Sequence, residues 1–238
     1  SYVFPEYLFP LNNAVKEIVH DSYKIDNEKF EVLSHGINIK KFTYSKKIRT
    51  NIFTLMYFGS LIESYDFDLI INAAKKLKEK NIQFIIRGRG KLLPYIKNQK
   101  EKYKLDNLLI QTDVIKNEEI SKMLHKSDVL LAPMQKSKLA NYSLPTKILE
   151  YQAVGRPIIC CSNGAVGTYV EQTNSGLRAD QGNLESFIDS ILKLESNPKL
   201  CDILGENGRK NIEKEHTFEK IGIRLSYIID KIIKNNTN

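Results

Sequence analysis

Leu144-Pro145-Thr146-Lys147-Ile148-Leu149-Glu150-Tyr151, running on through Gly155-Arg156-Pro157-Ile158-Ile159, is the stretch on which the reading of this chain turns. Pro145 and Thr146 mark a helix start, because proline is pre-organised for a first turn and a small hydroxyl residue caps one. Gly155 marks the stop, and Pro157 to Cys161 follow as a buried strand. Lys147 and Glu150 stand in the first two turns, three residues apart and therefore on one helix face. A helix N-terminus offers free N–H groups to phosphate, a lysine adds a point charge, and a carboxylate accepts hydrogen bonds from hydroxyls. Phosphate and diol held side by side describe a nucleotide. The alternative is a capped helix whose Lys147 and Glu150 form a solvated pair.

Upstream of this stretch, apolar runs of strand length alternate with longer helical patterns. The predicted strands are Phe53–Phe58, Gln83–Arg87, Leu108–Gln111, Val129–Ala132 and Pro157–Cys161. The predicted helices between them are Phe67–Lys80, Leu92–Tyr103, Glu118–Lys126 and Thr146–Ala153. Such alternation means βαβ units and an α/β fold, a doubly wound parallel sheet with helices on both faces. Sheets of this kind bind ligands beyond the C-terminal ends of their strands. Those ends carry Gly59-Ser60, Arg87-Gly88-Arg89-Gly90, Thr112-Asp113-Val114, Pro133-Met134 and Ser162-Asn163-Gly164. From Asn183 the pattern is helical: Leu184–Glu195, Lys199–Lys214 and Phe218–Ile233. Ahead of the alternation, Asn13–His20 reads as a short helix, Phe30–Leu33 as a strand and Ser34-His35-Gly36-Ile37 as a turn.

Composition narrows the class. With 238 residues, 42% hydrophobic and 27% charged, the chain can bury a sizeable core. No apolar run is long enough to span a bilayer, and Ser1-Tyr2-Val3-Phe4-Pro5 lacks a signal-peptide layout. Three cysteines, two of them adjacent at Cys160-Cys161, form no disulfide framework and have no zinc-ligand spacing with the four histidines. The expected compartment is reducing and the expected location cytoplasmic. A net charge of +8 invites a nucleic-acid reading, but the lysines are scattered along helices among glutamates, and no recognition motif accompanies them. Attraction to anionic lipid headgroups is the other use of such charge, so peripheral contact with the inner face of a membrane, or with a lipid-linked acceptor, is part of the expectation.

The run Pro145 to Ile159 resembles the donor-binding signature of retaining glycosyltransferases with the GT-B fold, glycosyltransferase family 4 of the group 1 type. It is most similar to the branch written Pro-Ser-Lys-hydrophobic-x-Glu-Tyr-x-Ala-x-Gly-x-Pro-Val-Ile. Other segments resemble the family in order: Phe30 to Phe42 its approach to the second domain, Tyr57-Phe58-Gly59-Ser60-Leu61 its first βα unit, and Gly205 to Phe218 its closing element. The resemblance covers about residues 12 to 230 and implies the second, donor-binding half of a GT-B enzyme. It implies an interdomain lead-in segment at 1–45, a Rossmann-like nucleotide-sugar domain at 46–215 and a C-terminal helix at 216–238. An acceptor-binding domain would precede this chain, which alone is expected to be inactive. The expected partners are therefore a nucleotide-sugar donor, a UDP-sugar in this branch, and that acceptor domain; no nucleic acid and no cofactor are expected.

Residue by residue, the resemblance places Glu150 on ribose and Lys147 with the helix start at Thr146 on the diphosphate. It places Gly59 and Ser60 beside the diphosphate, Asp113 and Val114 at the base, and Gly164 in a Gly-rich loop, Asn163–Thr168, facing the sugar. Two departures stand out. The positions after Gly59, Ser60 to Asp66, lack the family's Arg/Lys pair, which leaves Lys147 first and Arg87 and Arg89 second to meet the charge. Tyr142 stands where many members have a first glutamate, eight positions before Glu150, so no catalytic base is named. The absence of an Asp-x-Asp leads to the expectation that no metal holds the diphosphate. Gly88, between the two arginines, is a further donor-binding candidate, since glycine lets the backbone approach a ligand closely; Gly59 reads equally as a tight-turn residue, the glycines of the Asn163–Thr168 loop as loop punctuation, and the Arg87–Lys91 run as an exposed basic turn. Among the histidines His35 alone, in the turn beside Gly36, is a test candidate; His125 and His216 read as structural. The expected function is sugar transfer with retention toward a polysaccharide or glycolipid. The alternatives are a non-catalytic nucleotide-binding or regulatory module of the same fold, and a basic nucleic-acid-binding domain.

Overall fold

The computed structural model describes residues 6–236. Six strands form one parallel sheet: β1 (Phe53–Phe58), β2 (Ile82–Arg87), β3 (Leu108–Gln111), β4 (Val129–Pro133), β5 (Ile158–Cys161) and β6 (Gly176–Ala179). Their order is β3-β2-β1-β4-β5-β6, so the winding reverses between β1 and β4. Leu55 pairs with Phe84 on one side and with Val129 on the other. The helices are α1 (Asn13–Tyr23), α2 (Phe67–Lys76), α3 (Leu93–Tyr103), α4 (Asn117–Leu124), α5 (Lys138–Tyr142), α6 (Thr146–Ala153), α7 (Ala165–Gln172), α8 (Leu184–Glu195), α9 (Pro198–Asn211) and α10 (Phe218–Asn236). They cover both faces of the sheet, a doubly wound Rossmann-like arrangement.

Burial explains why the strands are continuous apolar runs. All of β4 and β5 is buried, as is β1 from Thr54 to Tyr57, because helices shield both faces. The edge strands β3 and β6 are more open. α6 begins one residue after Pro145, which sits at its N-cap with no capping side chain, and Gly155 at φ +69° ends the turn after it.

The structure corrects several expectations. Phe30–Leu33 is not a sheet strand: Phe30 makes an isolated parallel bridge to Leu8, with Leu33 N–H donating to Pro10. The supposed loop Asn163–Thr168 is mostly helix, since α7 opens at Ala165 directly after Gly164. α5 and β6 were not expected at all. The helix expected at Lys199–Lys214 is α9 continued by a π-helical turn, Ile212–His216. His216, read as structural, is buried, its ring hydrogen-bonded to the Tyr169 hydroxyl at 2.9 Å. Of the lead-in segment expected at 1–45, residues 1–5 lie outside the described residues, as do the last two of the chain.

Candidate functional site

The winding reverses between β1 and β4, and it is beyond the C-terminal ends of the strands at such a reversal that open α/β sheets hold ligands. The turn after β1, Gly59-Ser60, enters from one side, and α6, which follows β4 and α5, from the other. Lys147 bridges them. Its Nζ donates to the Tyr57 Oη at 2.9 Å and lies 4.3 Å and 3.9 Å from the ring centroids of Tyr57 and Tyr65. Lys147 as a whole is half-buried, with its ammonium against the two rings. Burial is the main cause that pushes its pKa down, to about 7, against the opposing pull of Glu150. The alternative of a solvated Lys147–Glu150 pair is thus not what forms.

The Tyr57 hydroxyl in turn donates to the Ser60 carbonyl at 2.6 Å. Tyr151, one residue beyond Glu150, fixes the end of β1: its hydroxyl accepts from Phe58 N–H and donates to Phe58 O, both at 3.1 Å. Gly59 has φ +144°, and any Cβ there would fall on the Lys147 ammonium, which is why the turn takes a glycine.

Glu150 and Thr146 line a cleft of about 260 Å³ with Asn38, Lys41, Asn117 and Phe218. Burial raises the Glu150 pKa and Lys147 lowers it in part. Among the described residues no side chain caps α6; Ile148 N–H donates to Pro145 O at 3.0 Å, and the N–H groups of Thr146 and Lys147 ahead of it are those a helix start offers to an anion.

The remaining candidates form a second group at the β2 and β3 ends. Arg87 is buried; its guanidinium donates to Gln111 Oε1 at 2.6 Å and Asp113 O at 3.3 Å, leaving Nε buried without a partner. Arg89 donates to Thr112 O at 2.7 Å. These arginines therefore bind neighbouring loop carbonyls. A Cβ on Gly88 would land on the Gly59 carbonyl oxygen, so Gly88 serves the close packing of two turns. Asp113 and Val114 are exposed at the tip of that loop. Gly164 lies apart, its open face covered by the backbone of Asn141 in α5, at the edge of a cleft of about 580 Å³ that Tyr142 also lines. Sequence reasoning missed Tyr57, Tyr65 and Tyr151. The signal was present for Tyr57, a polar-tipped residue next to the C-terminal end of a central strand.

The sequence pattern of the family described as glycosyl transferases group 1 matches residues 38–211. Among curated proteins, the UDP-Gal:alpha-D-GlcNAc-diphosphoundecaprenol alpha-1,3-galactosyltransferase of Escherichia coli is 25% identical over 221 residues, 86% of this chain and 55% of that protein. The capsular polysaccharide biosynthesis glycosyltransferase CapM of Staphylococcus aureus is 21% identical over 92% of this chain and 54% of its own length. The chain spans about half the length of the curated relatives it matches. Among solved structures, Anabaena Alr3699/HepE in complex with UDP and glucose superposes with a TM-score of 0.81 at 13% identity, over 96% of this chain and 64% of that one. With more than half of its length matched by one family pattern, the chain belongs to the group 1 glycosyl transferases.

Proposed function

We propose that this chain is the donor-binding half of a glycosyltransferase that takes a nucleoside diphosphate sugar, UDP-linked in the first instance, and builds a polysaccharide or glycolipid with retention at the transferred carbon. The observation that carries the reading is α6: one uncapped helix start with Lys147 turned to the end of β1 and Glu150 lining the cleft beside it. In this reading Glu150 accepts hydrogen bonds from the ribose hydroxyls. The Thr146 and Lys147 N–H groups and the Lys147 ammonium meet the diphosphate, and their charge favours its departure with the electron pair of the broken glycosidic bond. Gly59 and Ser60 let that diphosphate approach the backbone, and Asp113, Val114 and Gly164 extend the site toward base and sugar. The acceptor site and the catalytic base belong to a further domain, with residues 1–45 as the lead-in from it. The UDP in the superposed Anabaena structure and the UDP-Gal in the Escherichia coli relative's name agree with this donor.

The test is a calorimetric titration with UDP, GDP and uridine. Glu150→Ala should weaken UDP by about 1–3 kcal/mol, the scale of hydrogen bonds to a charged group, with the fold intact by circular dichroism. A folded variant that binds UDP as tightly as the parent removes Glu150 from the ribose. A second reading, a nucleotide-binding module without transfer, is favoured by Tyr142 in place of a first glutamate; it predicts UDP binding with no transfer when the acceptor domain is supplied.

A further inference from the structure

The stretch from Ser60 to Asp66 carries no lysine or arginine, so the turn after β1 brings no cation of its own. Lys91 pairs with Glu63 farther along that stretch at 2.6 Å, while the cation beside Gly59 is Lys147, 90 positions along the chain from Tyr57. Two tyrosines hold it there, in different ways. Tyr57 offers a ring face and also a hydroxyl, which accepts from the ammonium and donates to the Ser60 carbonyl. One oxygen atom therefore links lysine and turn. Tyr65 offers a ring face alone at 3.9 Å, the nearer of the two. The rings are themselves locked edge to face, Tyr57 to Tyr65 at 5.1 Å and Tyr57 to Phe67 at 5.0 Å between centroids. The groups that face the ammonium are thus Tyr57 from β1, Tyr65 from the loop before α2 and, from its own helix, the Glu150 carboxylate.

We infer that Tyr57 and Tyr65 are positioning residues for the donor diphosphate, holding the Lys147 ammonium at the Gly59–Ser60 turn in place of a cation carried by the turn itself. The inference rests on the reading of Lys147 as the partner of the diphosphate. It has a chemical consequence. With the Lys147 pKa near 7, a diphosphate arriving at pH about 8 meets a largely neutral amine, and binding draws a proton from the buffer onto Nζ. UDP itself is already fully ionised there, and uridine offers no charge to drive the uptake.

The experiment is calorimetry of UDP and of uridine at that pH in two buffers of different ionisation enthalpy, so that proton uptake is read separately from affinity. The parent chain should take up most of one proton with UDP and none with uridine. Tyr57→Phe, which keeps the ring and the packing, should weaken UDP by about fivefold to tenfold, leave uridine unchanged and alter the uptake. Tyr65→Leu should do the same, and Tyr65→Phe, which keeps the ring face, should rescue it. Lys147→Met separates the two levels of the argument. If it weakens UDP but not uridine while Tyr57→Phe behaves as the parent in affinity and uptake, the two tyrosines are only packing and the inference falls alone. If Lys147→Met leaves UDP affinity unchanged, the reading of Lys147 beneath it falls as well. Should Tyr65→Leu unfold, the near-isosteric Tyr57→Phe decides.

Discussion

At the scale of single residues, Lys147 works against the fold it belongs to. Its ammonium sits against aromatic rings, and burial brings its pKa down to about 7 from 10.5. The unfolded chain keeps that proton up to the higher value, while the folded chain releases it near 7. Between the two the unfolded state binds more protons, so this residue's contribution to stability rises with pH across the window and is least favourable below it. Lys147→Met should therefore stabilise the chain at neutral pH, by about 1–2 kcal/mol given that the residue is half-buried, and flatten the rise in melting temperature from pH 7 to 9. A thermal melt series in three buffers measures both. Glu150 and Lys147 were legible in the sequence because a helix start and a three-residue spacing are local. The two tyrosines were not, because their meeting with Lys147 depends on β1 and the loop before α2 lying beside α6, which no local pattern states.

At the scale of elements, legibility followed burial. β1 and β3 begin and end where the apolar runs do, and α6 and α8 match their periodic segments at both ends. β6 escaped because Gly176-Leu177-Arg178-Ala179 is a short edge strand with one large apolar residue, too little for a run. α7 escaped because two glycines near its start, Gly164 and Gly167, outweigh its apolar positions in a propensity reading, whereas packing of Val166 and Val170 decides the matter. Phe30–Leu33 has the composition of a strand, but among the described residues its backbone pairs with Leu8 and Pro10 and joins no sheet. The glycines after β1 and β2 teach a related lesson. Gly88 stands at φ +157° with the Gly59 carbonyl where a side chain would be. Gly88→Ala should cost roughly 2–4 kcal/mol, from the sum of a strained backbone and an overpacked contact. It should also weaken UDP binding through the displaced Gly59 turn. The urea midpoint reads the first effect and calorimetry the second.

At the scale of the whole molecule, Arg156 joins parts that are far apart in sequence. Buried, it donates to Ser127 O at 3.0 Å, Ser45 O at 2.8 Å and His125 O at 3.2 Å, fastening the segment before β1 to the loop before β4. A lysine has neither the planar fork nor the reach for three carbonyls, so Arg156→Lys should destabilise the fold by about 2–4 kcal/mol, seen in the same urea series, while UDP affinity holds in the folded fraction. The Gly-Arg-Pro element of the family resemblance is thus structural at its centre. The strand order carries a consequence of another kind, in time. As the chain leaves the ribosome, β1, β2 and β3 can pair as soon as they emerge, yet β1 then remains an open edge, apolar from Leu55 to Phe58, until β4 arrives, its first residue Val129 standing 18 positions beyond Gln111 at the end of β3. Until β4 closes that edge the half-made sheet invites pairing with a neighbour, and the Lys147 and Glu150 proposed to hold a nucleotide are still to be synthesised.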